Sequence, residues 1–327
     1  MKSMVQRAAG EPLTLEHGAA PEPGGGEVRL RVEACAVCRT DLHVVDGELP
    51  GLRYPVTPGH EVIGVIEQAG AGVDPGVVGL RVGVAWLGKT CGQCDYCLSG
   101  RENLCDFAEF TGYTLPGGFA SHLIADARYI YPVPRTRSAA SMAPWMCAGL
   151  IGWRALRAAG QAQRLGVYGF GSAGQVLAKV CSWQGRLVYA FTRAGDAAAQ
   201  QHARALGAVW AGDSASDPPQ PLDAAIIFAP AGDLVPLALK AVRKGACVVC
   251  GGIHMSDIPS FPYRLLWGER QLVSVANLTR ADGREFMDVA VAADLRCHVR
   301  TYPLEEANAA LADLRHGRIQ ATAVLIP

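Results

Sequence analysis

In "VYGFGSAGQVLAKV" (residues 167–180), Gly169, Gly171 and Gly174 form a GxGxxG pattern directly behind an apolar strand-like run and at the head of a helix-like one. Glycines at these places let the backbone approach a pyrophosphate at a helix N-terminus, where unpaired N–H groups attract anions; Ser172 and Ala173 share that turn. By itself the pattern also describes an ordinary tight strand-to-helix turn. The surrounding chain argues for the nucleotide. Around it stand the runs "RLGVYGF" (164–170), "RLVYAFT" (186–192), "AVWAG" (208–212), "DAAIIFA" (223–229), "GACVVCGG" (245–252) and "QLVSVA" (271–276). Strands that are apolar throughout, separated by segments able to hold a helix, indicate a parallel sheet of about six strands covered on both faces.

Where the second run ends, an NAD site usually carries an acidic residue for the ribose 2′-hydroxyl. Here "VYAFTRAG" places Thr192 and Arg193 instead. A hydroxyl and a guanidinium can hold a 2′-phosphate through charge-assisted hydrogen bonds, so NADP(H) is expected ahead of NAD(H). The alternative is that Arg193 stacks on adenine or faces solvent.

Upstream the texture differs. The first 135 or so residues contain short strand-like runs broken by Gly and Pro, such as "EVRLRVEACAV" (27–37), "EVIGVIEQAG" (61–70) and "RVGVAWL" (81–87), so this half is expected to be mainly β. With 327 residues, half of them hydrophobic, 18% charged and a formal net charge of +0, the chain suits a globular protein of roughly two domains. No basic block or basic-aromatic stripe points to nucleic acid, and a small molecule is the expected ligand. The absence of a long apolar run or a secretion-type N-terminus sets the expectation of a cytoplasmic protein without a membrane anchor.

Of the eleven cysteines, six fall between Cys35 and Cys105, a clustering that favours metal over disulfides in a reducing compartment. "CGQCDYCLSGRENLC" supplies Cys91, Cys94, Cys97 and Cys105, four thiols able to close a tetrahedral zinc site with no position open to substrate. An iron–sulfur cluster is the rival, but the long last gap and the missing Pro after the final Cys favour zinc. A second group, "ACAVCRTDLH" (34–43), puts Cys35 and Cys38 three apart. A redox pair, a zinc knuckle and a single working cysteine are all open at this point.

Taken in order, "CRTDLH" (38–43), "GHEVIGVI" (59–66), the four-cysteine lobe, "APWMCAG" (143–149) and the glycine loop resemble the zinc-dependent medium-chain alcohol dehydrogenases, most of all the bacterial and yeast-type branch. The resemblance covers essentially the whole chain. It implies a GroES-like, mainly-β catalytic domain (1–137 and 297–327) and a Rossmann doubly wound six-stranded parallel-sheet domain (138–296). It also implies two zinc ions per chain: a structural one in the lobe, and a catalytic one held by Cys38, His60 and Cys147, which Glu61 can approach at rest. Asp41 would orient His60, Thr40 and His43 would carry the alcohol's proton to water, and Arg39 would contact the cofactor pyrophosphate. "CGGI" would line the nicotinamide through the backbone of Cys250, Gly251 and Ile253. Trp86, Leu87 and Trp145 would line the substrate pocket. Leu49 stands where relatives restricted to the smallest alcohols carry a tryptophan. The wider, apolar pocket points to medium-chain or aromatic primary alcohols and aldehydes.

The reaction so implied is hydride transfer between alcohol and NAD(P)⁺ in a homodimer or homotetramer. A departure is Thr322, where related enzymes often carry an arginine that helps with pyrophosphate. Two other readings compete: a quinone or enoyl reductase on the same fold, which typically lacks both zinc sets, and a non-catalytic NADPH-binding sensor.

Overall fold

The strand Glu27–Val37 is the spine of the mainly-β half. Val28, Leu30 and Val32 alternate inward, and from Ala34 to Val37 every residue is buried. Such a strand needs partners on both edges and cover on its faces. It pairs antiparallel with Glu61–Ala69, His122–Asp126 and Thr322–Ile326. Arg81–Val84, Ile130–Pro132 and Val299–Pro303 complete a seven-stranded sheet. Val299–Pro303 and Thr322–Ile326 run parallel, with the helix Ala307–Arg315 in the chain between them. Leu30, Val62, Ile66, Phe119, Leu123 and Leu325 pack in the core of this half.

Six strands build the second half, and every pairing among them is parallel. Their order across the sheet is Trp210–Asp213, Leu187–Thr192, Arg164–Tyr168, Leu222–Ile227, Val242–Cys250, Gln271–Ser274. The chain builds outward from Arg164–Tyr168 in one direction, then returns past it to build in the other. Ligands of doubly wound sheets bind at such a reversal, and Gly169–Gly174 follows directly from the strand where it occurs. Tyr168 and Phe191 stack inside with ring centroids 4.1 Å apart.

The computed structural model describes residues 1–327, in two units. One comprises Met1–Cys147, Thr279–Met287 and Arg296–Pro327; the other comprises Ala148–Leu278 and Asp288–Leu295. Residues 138–147, 279–287 and Arg296, expected from sequence with the dinucleotide half, therefore pack with the first unit. Side-chain packing accounts for this. Met146 lies over Gly83, where a Cβ would come within 2.2 Å of its sulfur, and Gly283 lies against the Tyr131 ring, where a Cβ would come within 2.2 Å of Cε1. No helix is long and apolar enough to cross a membrane.

Candidate active site

Cys38 is the N-cap of the short helix Arg39–Val45, and the cap draws several later residues together. Its sulfur accepts the Thr40 N–H at 3.3 Å, while its own N–H donates to Asp41 Oδ2 at 2.8 Å. This is the reciprocal capping arrangement with cysteine in the place of serine or threonine. The other Asp41 oxygen accepts the Gly59 N–H at 3.2 Å and meets His60 Nδ1 at 3.1 Å. A fully buried carboxylate thus ties the helix start to the segment entering strand Glu61–Ala69. With Nδ1 facing Asp41, His60 turns Nε2 toward the Cys38 sulfur, 3.2 Å away.

Cys147 and Glu61 complete the group, and one donor atom from each of Cys38, His60, Glu61 and Cys147 lies within 4.8 Å of all the others. Two chemical facts test whether a cation belongs here. Glu61 Oε2 is buried with no hydrogen-bond partner, a costly state for a carboxyl oxygen. In addition, the Cys38 thiol is pushed well up by its hydrogen bond to Cys147 and then by burial, and burial likewise pushes up the Glu61 carboxyl. Acidic groups crowded together in a buried place resist ionisation unless a positive charge joins them, and a bound cation reverses that preference. Two sulfurs, an imidazole nitrogen oriented from behind by a carboxylate and a nearby carboxyl match the donors zinc takes. The residues fit the metal.

Cys91, Cys94, Cys97 and Cys105 also gather within 4.8 Å, on the compact lobe that includes the helical turn Asp95–Leu98. Cys91 Sγ lies 3.5 Å from Cys105 Sγ and 3.9 Å from Cys97 Sγ. Backbone N–H groups of Gln93 and Cys94 aim at Cys91 and bring its thiol down to about 6. Amides converging on sulfur favour the thiolate a metal requires. Glu102 anchors the lobe: it is 3% exposed and accepts the Arg280 N–H at 2.8 Å and its Nε–H at 3.1 Å. Cys35 stands apart, its sulfur buried against Gly59 and Gly118 on the long strand.

Thr40 and His43 lie three apart on one helix and so share a face. Arg39, at the start of that helix, is exposed. The Trp86 and His60 rings meet nearly perpendicular with centroids 5.1 Å apart, and Trp86 stacks with Phe110 at 5.2 Å and Tyr113 at 5.6 Å. Leu49, Leu52 and Tyr54 pack beside them. Phe110 and Tyr113 are absent from the sequence-based expectations; their signal is the aromatic pair in "EFTGYT", just past the cysteine lobe. Two pocket expectations need correction. Leu87 and Trp145 have no exposed surface, and Trp145 is core, with the Arg137 guanidinium over its ring.

On the dinucleotide half, Gly169 has φ +88°, and a Cβ there would come within 2.8 Å of Ala229 N. Only glycine suits both demands. At Gly174 a Cβ would come within 2.9 Å of Gly169 O, so helix Ser172–Trp183 starts tight against the turn, whereas the Cβ position at Gly171 faces open space. Thr192 departs from expectation. It is buried, and its hydroxyl serves the Arg193 carbonyl at 3.2 Å and the Gln200 amide at 3.3 Å, whereas the Arg193 side chain is exposed. Cys250 ends its strand, Gly251 N–H donates to Ile227 O at 2.8 Å, and Ile253 is exposed.

Residues 24–135 match the family model described as the alcohol dehydrogenase GroES-like domain. The chain is 43% identical over 323 residues to the probable alcohol dehydrogenase AdhA of Mycobacterium tuberculosis (strain CDC 1551 / Oshkosh), covering 96% of this chain and 93% of that one. It is 32% identical to an alcohol dehydrogenase of Geobacillus stearothermophilus, with 99% of each chain covered. Among solved structures, the acetophenone reductase of Geotrichum candidum in complex with NAD superposes with a TM-score of 0.88 at 27% identity, over 100% of this chain and 97% of that one. Likeness along nearly the full length of both curated relatives, with Cys38, His60 and Glu61 standing in the matched domain, makes this chain a member of the zinc-type medium-chain alcohol dehydrogenase family, an oxidoreductase.

Proposed function

We propose that this enzyme interconverts primary alcohols, medium-chain or aromatic, with their aldehydes, using zinc and NADP(H) ahead of NAD(H). The observation that carries the reading is the convergence of Cys38, His60, Glu61 and Cys147 around one point, with Asp41 locked behind His60. The aromatic wall of Trp86, Phe110 and Tyr113 beside His60 supports a flat or extended apolar substrate. For the cofactor, support now rests on exposed Arg193 and on the lack of an acid at the end of strand Leu187–Thr192.

When bound, the two groups supply Lewis acidity toward the alcohol oxygen and an acceptor for the carbinol hydride. Cys38, Cys147 and His60 Nε2 would hold the metal, with Glu61 as a further donor within reach. Asp41 keeps the proton on His60 Nδ1 and the ring in place. Thr40 Oγ1 takes the substrate hydroxyl's proton as it gives up its own, and His43 accepts the relayed proton and passes one to water. Trp86 covers the His60 ring and keeps bulk water from it. Cys91, Cys94, Cys97 and Cys105 would hold a second zinc, with no catalytic part. The outer edge of Gln271–Ser274 has no paired strand in the sheet, which supports assembly of copies edge to edge into a dimer or tetramer.

The test is a comparison of rates with NADH and NADPH across straight-chain and aromatic aldehydes, on protein whose zinc content is measured. Two zinc per chain, faster turnover with NADPH and higher kcat/KM for C6 or benzylic aldehydes than for acetaldehyde are expected. A wide margin for NADH removes the role given to Arg193. Absence of zinc removes the mechanism.

A further inference from the structure

The helix Arg39–Val45 ends in a turn that brings the chain back over its own last residues. Asp46 caps it, Gly47 takes φ +72°, Glu48 N–H donates to His43 O at 3.0 Å and Gly47 N–H to Val44 O at 3.0 Å. These are the two bonds of the glycine-terminated helix end, in which the second residue past the cap lands on the residue three before it. Gly47 is required twice over, by its positive φ and because a Cβ would come within 2.7 Å of Ala9 Cβ. Arg315, from the helix Ala307–Arg315, holds the Asp46 carboxylate at 2.6 and 2.8 Å. The turn thereby delivers the Glu48 carboxylate to His43 Nδ1, where the two are hydrogen-bonded.

We infer that Glu48 is a positioning residue for proton transfer by His43. Its carboxylate accepts the Nδ1–H, which assigns the proton of the neutral ring to Nδ1 and leaves the Nε2 lone pair as the base. When Nε2 takes a proton, the ring becomes imidazolium beside a carboxylate; Nε2 then gives that proton to water while the Nδ1–H stays in place. Asp46 does not compete for the ring, because Arg315 holds it. The inference rests on the reading of Thr40 and His43 as the proton path, and it adds a residue three positions beyond the helix to that path.

Ring ¹⁵N shifts of histidine-labelled protein, with the His43 signal assigned by its loss in His43→Asn, report the tautomer without any turnover. The Nδ1–H form is expected in the wild type and in Glu48→Gln, which keeps an acceptor, and a shift toward Nε2–H in Glu48→Ala. Nε2–H in the wild type, or no change in Glu48→Ala, overturns the inference. For alcohol oxidation, Glu48→Ala should lower kcat about fivefold, as fits loss of one largely exposed ion pair, and Glu48→Gln should recover most of the loss. In a His43→Asn background Glu48→Ala should cost nothing further, and an equal loss there overturns the inference. If His43→Asn itself leaves kcat unchanged, the proton-path reading fails and the role of Glu48 falls with it, a result distinct from failure of Glu48 alone.

Discussion

The two cysteine-bearing centres of this chain are built on opposite plans. The lobe Cys91–Cys105 takes all four donors from fifteen consecutive residues, all thiols, on a loop whose own N–H groups point at sulfur. The other centre takes a helix cap at Cys38, a strand entrance at His60 and Glu61, and Cys147 far along the chain, with mixed donors and an oriented imidazole. A short loop pinched by four thiolates closes around a metal and constrains the chain. Donors brought together by a finished fold mark a position that the surrounding protein already holds rigid. The first plan suits stability and the second suits chemistry.

The sharpest way to break this contrast is to remove one sulfur from each centre. Cys38→Ser should lower kcat by at least about 10³-fold, the several kcal/mol of Lewis-acid stabilisation converted at one decade per 1.4 kcal/mol, with little change in Tm. Zinc analysis should then find one ion per chain. Cys97→Ser should act the other way: Tm falls by about 10 °C, as expected when a metal that contributes folding energy binds poorly, while the protein still folded keeps its kcat. Equal Tm losses in the two variants would erase the division of labour.

That division is partly legible in the sequence, and the reason is distance along the chain. The lobe and the glycine loop are local, so spacing alone carries them, and the apolar runs foretell the parallel sheet because its central strands, Arg164–Tyr168 and Leu222–Ile227, are buried along nearly their whole length. The second centre is not local: Cys38, His60 and Cys147 follow from family resemblance, and spacing would equally allow Cys35 to pair with Cys38. What sequence obscures is burial. Trp145 reads as a pocket wall because it precedes Cys147, yet it is wholly core, and the Thr192 hydroxyl is engaged by its neighbours. Phe110 and Tyr113 meet Trp86, and Glu48 meets His43, through contacts that the folded chain creates, and no periodicity announces them.

Glu102 sharpens the contrast from the lobe's side. Burial works against its carboxylate, but the Arg280 backbone and side-chain N–H groups prevail and hold it below the usual glutamate range. A carboxyl whose folded pKa is lowered stabilises the fold above its unfolded pKa, and that contribution disappears as pH falls through the folded value. Denaturation of wild type and Glu102→Gln should therefore differ by about 1–2 kcal/mol at neutral pH, since Arg280 is 34% exposed and water screens it, and should converge once pH falls below the lowered folded value of the carboxyl. A gap that persists in acid would place the anchoring in side-chain shape rather than charge.

The smallest expected effect concerns a buried cysteine that belongs to neither plan. Cys35 pairs in register with Val62 and Leu325, and its sulfur packs where a Cβ on Gly59 would come within 2.8 Å and one on Gly118 within 3.0 Å. Burial raises its thiol well above the ordinary range, so it stays protonated and behaves as a small apolar side chain. Cys35→Ala should leave the zinc content at two per chain and kcat unchanged, and should lower stability by about 1 kcal/mol through the small cavity left behind. Zinc analysis is the discriminating measurement. Loss of an ion would join Cys35 to Cys38 as a local pair, and the second centre would then follow the same plan as the lobe.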